Sequence, residues 1–212
     1  MTDAPASPGP ERNWGGVIVA AAGAFELAAT LFNAIARAIP GFPTNLFGTI
    51  SGLLLGAFVL VPIALVVGFA PLAFGTGKLA SIAGEGVRSR LTVFTAALVS
   101  AVVPFVVIFL IAGSLGQDEE AAERATSGSL VVEIFALLIG LVAGIVIARA
   151  GVARGYARWS LIVAVLLISV TIVLGYTDLL ANWQDIPRAI GILALGISYW
   201  RVGLPSAHTR PE

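Results

Sequence analysis

Six long apolar blocks separated by short polar connectors restrict the fold of this chain more than any other feature of its sequence. A helix needs roughly 20 apolar residues to cross a hydrocarbon layer about 30 Å thick. Backbone polar groups in lipid must be hydrogen-bonded internally, and blocks of this length exceed a barrel strand, so each block is predicted to be a helix. The predicted segments are residues 14–38, 46–73, 91–115, 128–148, 159–176 and 188–204.

The composition supports a membrane location for these helices. Hydrophobic residues make up 58% of the chain and charged residues 11%, whereas soluble domains carry about 25% charged residues. We therefore predict an all-α polytopic integral membrane protein, a bundle of six transmembrane helices over residues 14–204. Residues 1–13 and 205–212 are predicted to be cytoplasmic tails, the first of them disordered because it is rich in proline and small polar residues.

The N-terminal segment has a second interpretation, a cleaved signal peptide. Residues 17–24 have the length of a signal-peptide core, and Ala22-Gly-Ala24 resembles a cleavage site. The apolar pattern continues to Ile39, however, which favours a retained helix.

The distribution of arginine and lysine predicts the orientation, because cytoplasmic loops carry an excess of these residues. With the N-terminus inside, nine cations lie on the inner side and three on the outer side, so both termini are predicted to be cytoplasmic. The inner cations are Arg12, Lys78, Arg88, Arg90, Arg149, Arg154, Arg158, Arg201 and Arg210; the outer ones are Arg37, Arg124 and Arg188. The preference for arginine, alanine, glycine and valine is typical of a GC-rich genome and predicts a bacterial cell (plasma) membrane.

A polar stripe on the first segment provides the first candidate site. At 100° per residue, Glu26, Thr30, Asn33 and Arg37 fall within an arc of roughly 60°, so they are expected to face protein or trapped water. Glu26 lies near the middle of the segment, where inserting a carboxylate costs about 3 kcal/mol. It is therefore expected to be protonated or hydrogen-bonded to another helix. It either joins helices or serves as a proton or cation site in a transport path.

Glu133 is the second intramembrane carboxylate. It shares a helical face with Gly140 and Gly144, so it is predicted to point into the bundle. Arg37 lies about 16 Å from Glu26 along the helix axis, near the outer surface and close to the expected depth of Glu133. The sequence therefore predicts an ion pair between Arg37 and Glu133, with the first helix beside the fourth.

Small residues at steps of four predict close helix approach in two segments. Gly48, Gly52 and Gly56 form one such face, and Gly140 and Gly144 belong to the other, with Ala136 and Ala148. These faces pack either inside one chain or against a partner. The predicted partners are membrane lipids and, through these glycines, a second copy or another membrane protein.

Reactive and metal-binding constellations are not evident in the sequence. Cysteine is absent and the single histidine, His208, lies in a polar tail, so no metal ligand, cofactor or catalytic residue is predicted. Gly75-Thr-Gly-Lys78 lacks the spacing of a phosphate-binding loop. The net charge is zero, so nucleic acid is not an expected partner.

Three functions are compatible with these features. The first is a non-catalytic accessory or assembly subunit of a membrane complex, which the short connectors and small-residue faces favour. The second is a small transporter or channel with Glu26 as its titrating group. The third is a membrane enzyme that processes lipid.

Overall fold

Helices account for nearly all of the computed structural model, which describes residues 13–40, 42, 44–76, 80–114, 119–177 and 183–201. The all-helical prediction is confirmed for these residues. The helices are α1 (Trp14–Ala38), α2 (Thr44–Phe74), α3 (Val87–Ser114), α4 (Glu119–Ala150), α5 (Ser160–Tyr176) and α6 (Ile186–Arg201), with a 3-10 turn at Gly155–Arg158.

Four stretches in these helices are long and apolar enough to cross a membrane. They are Trp14–Ala38, Gly52–Phe74, Val87–Val107 and Arg124–Ala150. Helix α5 is apolar but has 17 residues, and α6 has 16. By their length and composition, four helices of this kind indicate a membrane protein; the sequence predicts six spans.

Helix α4 begins nine residues before the predicted segment 128–148, at Glu119 rather than Gly128. Its first turns, Glu-Glu-Ala-Ala-Glu, consist of residues with high helix propensity. The segment boundary at residue 128 rests on hydropathy, which marks where the apolar part of a helix ends. Helical hydrogen bonding continues beyond that point.

The six helices form a closed ring in chain order. Each helix packs against the next, and α6 packs against α1. Gly16 of α1 faces Trp200 of α6, whereas Gly23 faces Leu193, so the two helices are antiparallel. Helix α1 thus lies between α2 and α6, and α4 lies between α3 and α5. The predicted packing of the first helix beside the fourth is not found in the described residues.

The contact between α1 and α6 brings two backbones together at three glycines. A Cβ atom on Gly16 would lie 2.8 Å from the carbonyl carbon of Tyr199, and one on Gly23 would lie 2.6 Å from the Cα of Leu193. A Cβ atom on Gly196 would lie 2.7 Å from the carbonyl carbon of Val19. Because lipid is as apolar as the helices, such close approach is a main source of helix association in membranes.

The two predicted small-residue faces have different surroundings. A Cβ atom on Gly140 would lie 3.0 Å from Val165, and one on Gly144 would lie 3.3 Å from the backbone nitrogen of Ile162, so this face packs on α5. On α2, a Cβ atom added at Gly56 would lie 3.8 Å from the Phe25 ring. A Cβ atom added at Gly52 would have no neighbouring atom within 4 Å. The structure describes Gly48 as part of α2 but not its surroundings.

The connector between α2 and α3 folds back into the bundle. Ser81, Ile82 and Ala83 are buried. The backbone N–H of Ile82 donates to the carbonyl of Leu72 at 3.0 Å, and the Ser81 hydroxyl donates to the carbonyl of Ala73. This connector covers the end of the ring at which α1 begins.

Exchange of Gly23 for valine is expected to destabilise the protein by about 1–3 kcal/mol, because the new side chain would overlap the α6 backbone. Gly52→Val is the matched control, since the same side chain there meets open space. The free energy of unfolding in detergent measures both changes. Equal stabilities would contradict the backbone contact between α1 and α6.

Candidate functional site

A buried ion pair joins the middle of α1 to the first turn of α6. The Glu26 Oε1 atom accepts a hydrogen bond of 2.6 Å from Arg188 Nε, and Arg188 Nη2 contacts the same oxygen. The Glu26 side chain is 3% exposed and the Arg188 side chain 33% exposed. The Glu26 side chain is thus almost fully buried, whereas one third of the Arg188 side-chain surface is accessible.

The position of Arg188 depends on the place where α6 begins. The backbone N–H groups in the first turn of a helix have no acceptor in the helix itself. The N–H of Arg188 donates instead to the Thr171 hydroxyl of α5 at 3.0 Å, and Thr171 is buried. This bond attaches the start of α6 to α5 at the depth of Glu26. Arg188 is therefore the partner of Glu26, a pairing that the sequence analysis does not predict.

The second carboxylate oxygen of Glu26 has a different environment. Glu26 Oε2 is buried and has no hydrogen-bond partner among the described residues. An unsatisfied buried acceptor costs about 1–3 kcal/mol. The ion pair therefore holds the carboxylate through one oxygen and leaves the other as an open acceptor.

The remaining residues of the predicted stripe make local contacts. Thr30 is buried, and Asn33 is partly buried. The Asn33 side-chain oxygen accepts a hydrogen bond of 3.1 Å from Arg37 Nε, one helical turn away, and Arg37 is exposed. No ion pair between Arg37 and Glu133 occurs in the part of the chain that the structure describes. The ring explains this, because α1 and α4 each pack against other helices.

A cavity of about 340 Å³ lies among α2, α3, α4, α5 and α6. Most of its wall is apolar, and two interior helix prolines, Pro62 and Pro104, belong to it. Proline removes a backbone hydrogen-bond donor from its helix. The polar groups in the wall are contributed mainly by α4, by the end of α5 and by the start of α6. They include Glu133, Thr171, Tyr176, Gln184, Asp185 and Arg188.

The cavity separates the predicted site residues into two groups. Glu133 is in its wall together with Arg188, so the structure brings these two residues to one site. Glu26, Thr30 and Asn33 are not in the wall. Glu26 reaches the site only through Arg188, which contacts the carboxylate and also lines the cavity.

Tyr176 connects the polar end of the cavity to α4. Its hydroxyl shares a hydrogen bond of 2.8 Å with the Ser129 hydroxyl, which is buried. On the opposite side, the rings of Phe58 and Phe105 meet edge to face at 5.0 Å and join α2 to α3. Both contacts tie adjacent helices together around the space between them.

The described residues contain no group of three or more histidine, cysteine, aspartate or glutamate side chains arranged to hold a metal ion. His208 and Lys78 lie outside them. No protein-family model matches the chain, and no curated protein or solved structure shows significant similarity to it.

Sequence reasoning identified Glu26 and Glu133 as intramembrane acids but missed Arg188, Asp185 and Gln184. The available signal was the length of the last segment, which has only 17 residues in the range 188–204. A helix this short need not begin at the membrane surface. A cation at its start is then available to a carboxylate in the middle of the bundle.

Replacement of Arg188 by methionine is expected to destabilise the protein by about 3–5 kcal/mol, because it leaves a buried carboxylate without a partner. Glu26→Gln is expected to cost less, since the remaining guanidinium is one-third exposed. The double variant should be more stable than the sum of the two losses predicts.

Unfolding free energies in detergent measure this cycle. Arg37→Met is the control, because Arg37 is exposed and bonds only to its own helix in the described residues. It is expected to change stability by less than about 0.5 kcal/mol. If the two single-variant losses of unfolding free energy add up to the loss in the double variant, Glu26 and Arg188 do not stabilise the protein through their interaction.

Proposed function

We propose that the protein is a small, non-catalytic membrane transporter that binds its substrate in the central cavity. The cavity carries this proposal. Sites for small molecules are typically concave, about 300–1,000 Å³ in volume and mostly apolar, with a few polar groups that orient the ligand. The cavity lined by α2, α3, α4, α5 and α6 has a volume of about 340 Å³, and its wall is mostly apolar with a few polar groups.

The depth of the polar groups supports transport. Glu26 is twelve residues from either end of α1, and its partner Arg188 lines the cavity. The polar end is therefore at the level of the middle of a membrane-length helix. Transporters commonly bind substrate near the bilayer midplane, where helices begin or break inside the membrane. The first turn of α6 lies level with the middle of α1, which supports such a site.

This proposal assigns Glu26 and Glu133 different roles. Glu26 is the structural counter-ion of Arg188, since it is enclosed and does not line the cavity. Glu133 lines the cavity and is the carboxylate that faces a bound substrate. The hypothesis that Glu26 is the titrating group is thereby replaced by one in which Glu133 has that role.

The same proposal includes six membrane crossings with both termini in the cytoplasm of a bacterial cell. Alternating helix directions around a closed ring support an even number of crossings. The nine inner cations against three outer ones support the orientation. In this arrangement the fifth and sixth crossings consist of α5 and α6 together with the chain between them, since α6 begins level with the middle of α1.

Cysteine labelling in intact cells tests the orientation, because the chain has no native cysteine. Gln117→Cys, between α3 and α4, is expected to react with a membrane-impermeant maleimide added outside. Glu85→Cys in the connector between α2 and α3 is expected to react only after lysis. Labelling of Glu85→Cys in intact cells, with protection of Gln117→Cys, would reverse the proposed topology.

Access of water to the cavity tests the transport function. Ser100 lines the cavity, whereas Ser198 is buried elsewhere and donates to the carbonyl of Leu195. In proteoliposomes, Ser100→Cys is expected to react with a water-soluble methanethiosulfonate at least about tenfold faster than the matched Ser198→Cys. Equal, slow reaction of both thiols would indicate a sealed cavity and contradict transport.

An accessory or assembly subunit is the second candidate, and Gly52 favours it. This glycine of α2 has open space around it, and its neighbours Leu53 and Leu55 are exposed. Such a face is suited to close approach by a helix of another protein. A stoichiometric partner that co-purifies in mild detergent and is lost in Gly52→Val would support this role over transport.

A further inference from the structure

The charges at the polar end of the cavity are unbalanced. Three carboxylates, those of Glu26, Glu133 and Asp185, lie near one guanidinium, that of Arg188. Two donor atoms of Arg188 contact Glu26 Oε1. Arg188 therefore has its counter-ion outside the cavity wall, and that pair is neutral as a unit.

The two acids in the wall lack such a partner. In the described part of the chain, neither the Glu133 carboxylate nor the Asp185 carboxylate takes part in a salt bridge or a side-chain hydrogen bond. Carboxylates in an apolar environment are costly, and one guanidinium already bonded to Glu26 offsets only part of that cost for the two acids in the wall. An anion in the same place would meet two carboxylates and one guanidinium that is already paired.

The rest of the wall determines what kind of cation fits. Its surface is mainly aliphatic, and Phe58 and Phe69 supply aromatic rings. Apolar walls favour a ligand with a hydrocarbon body, and these rings, on α2 and away from the two acids, offer apolar surface to that body. A small inorganic cation would leave most of the 340 Å³ unfilled, and the described residues hold no group of three or more metal-ligating side chains that would replace its water ligands.

From these features we infer that the cavity binds an amphiphilic organic cation, with the charge near Glu133 and Asp185 and the apolar body among α2, α3 and α5. This inference rests on the proposed substrate-binding role of the cavity and specifies its ligand class. The Glu26–Arg188 pair has a positioning role in it, because it places α6, and with it Asp185, at the cavity.

Two ions of nearly equal size and opposite charge test the inference. Tetraphenylphosphonium is the cationic probe and tetraphenylborate the anionic one. Equilibrium dialysis against the full-length protein in a neutral detergent measures their affinities. Ala97→Phe, which fills part of the cavity, provides the baseline for partition into the micelle, and the same change at the exposed Ala194 is its control.

The cation is expected to bind at least about tenfold more tightly than the anion once the baseline is subtracted. Glu133→Gln and Asp185→Asn should each weaken cation binding at least about fivefold by removing a facing charge. Glu85→Gln removes the same charge from an exposed connector outside the cavity and should leave the affinity unchanged. A thermal unfolding scan of each variant separates lost binding from lost folding.

Other results would overturn the inference in distinguishable ways. Equal binding of both ions, lost in Ala97→Phe, would show a cavity that accepts apolar molecules without selecting their charge. If neither ion binds but Ser100→Cys reacts, the inferred class of ligand is wrong and the proposed transport function is not contradicted. No binding together with an unreactive Ser100→Cys would reject both the ligand class and the proposed function.

Discussion

The contact between α1 and α6 closes the ring of helices, and the cavity among those helices depends on that closure. The contact combines two kinds of interaction. Gly16, Gly23 and Gly196 allow the backbones to touch, and Glu26 and Arg188 form an ion pair where α6 begins. Packing and polar contacts must hold this interface because lipid removes the hydrophobic drive for helices to associate. A chain without the interface would have the same helices in an open row.

The ion pair also determines the position of α6 along α1. A buried pair is weak evidence for added stability, because desolvation of both charges opposes their attraction. Its geometric effect is easier to identify. Arg188 reaches Glu26 only if α6 begins near the middle of α1, and the bond from its N–H to Thr171 holds α5 at the same level. One residue thereby aligns three helices and brings the wall residues Gln184 and Asp185 to the polar end of the cavity.

Particular residues show how far sequence reasoning extends in this protein. The first predicted segment and α1 share both boundaries, 14 and 38, because composition changes sharply at each end. Helix α4 begins nine residues before the apolar segment 128–148, since hydropathy does not register a polar extension of a helix. Glu26 was recognised from its depth, yet Arg188 was assigned to the outer surface. That assignment assumes that the last helix begins level with the ends of the others, whereas α6 begins level with the middle of α1.

The sequence by itself determined the helices, their apolar character and the presence of two acids, Glu26 and Glu133, within the apolar segments. Local hydrogen bonding and the cost of exposing polar groups to lipid depend on residues close together in the chain. Only the tertiary structure decided that Glu26 pairs with Arg188, 162 residues away, and that Glu133 faces a cavity. The order of helices around the ring determines those contacts. That order depends on the match between whole helix surfaces, which no single segment contains.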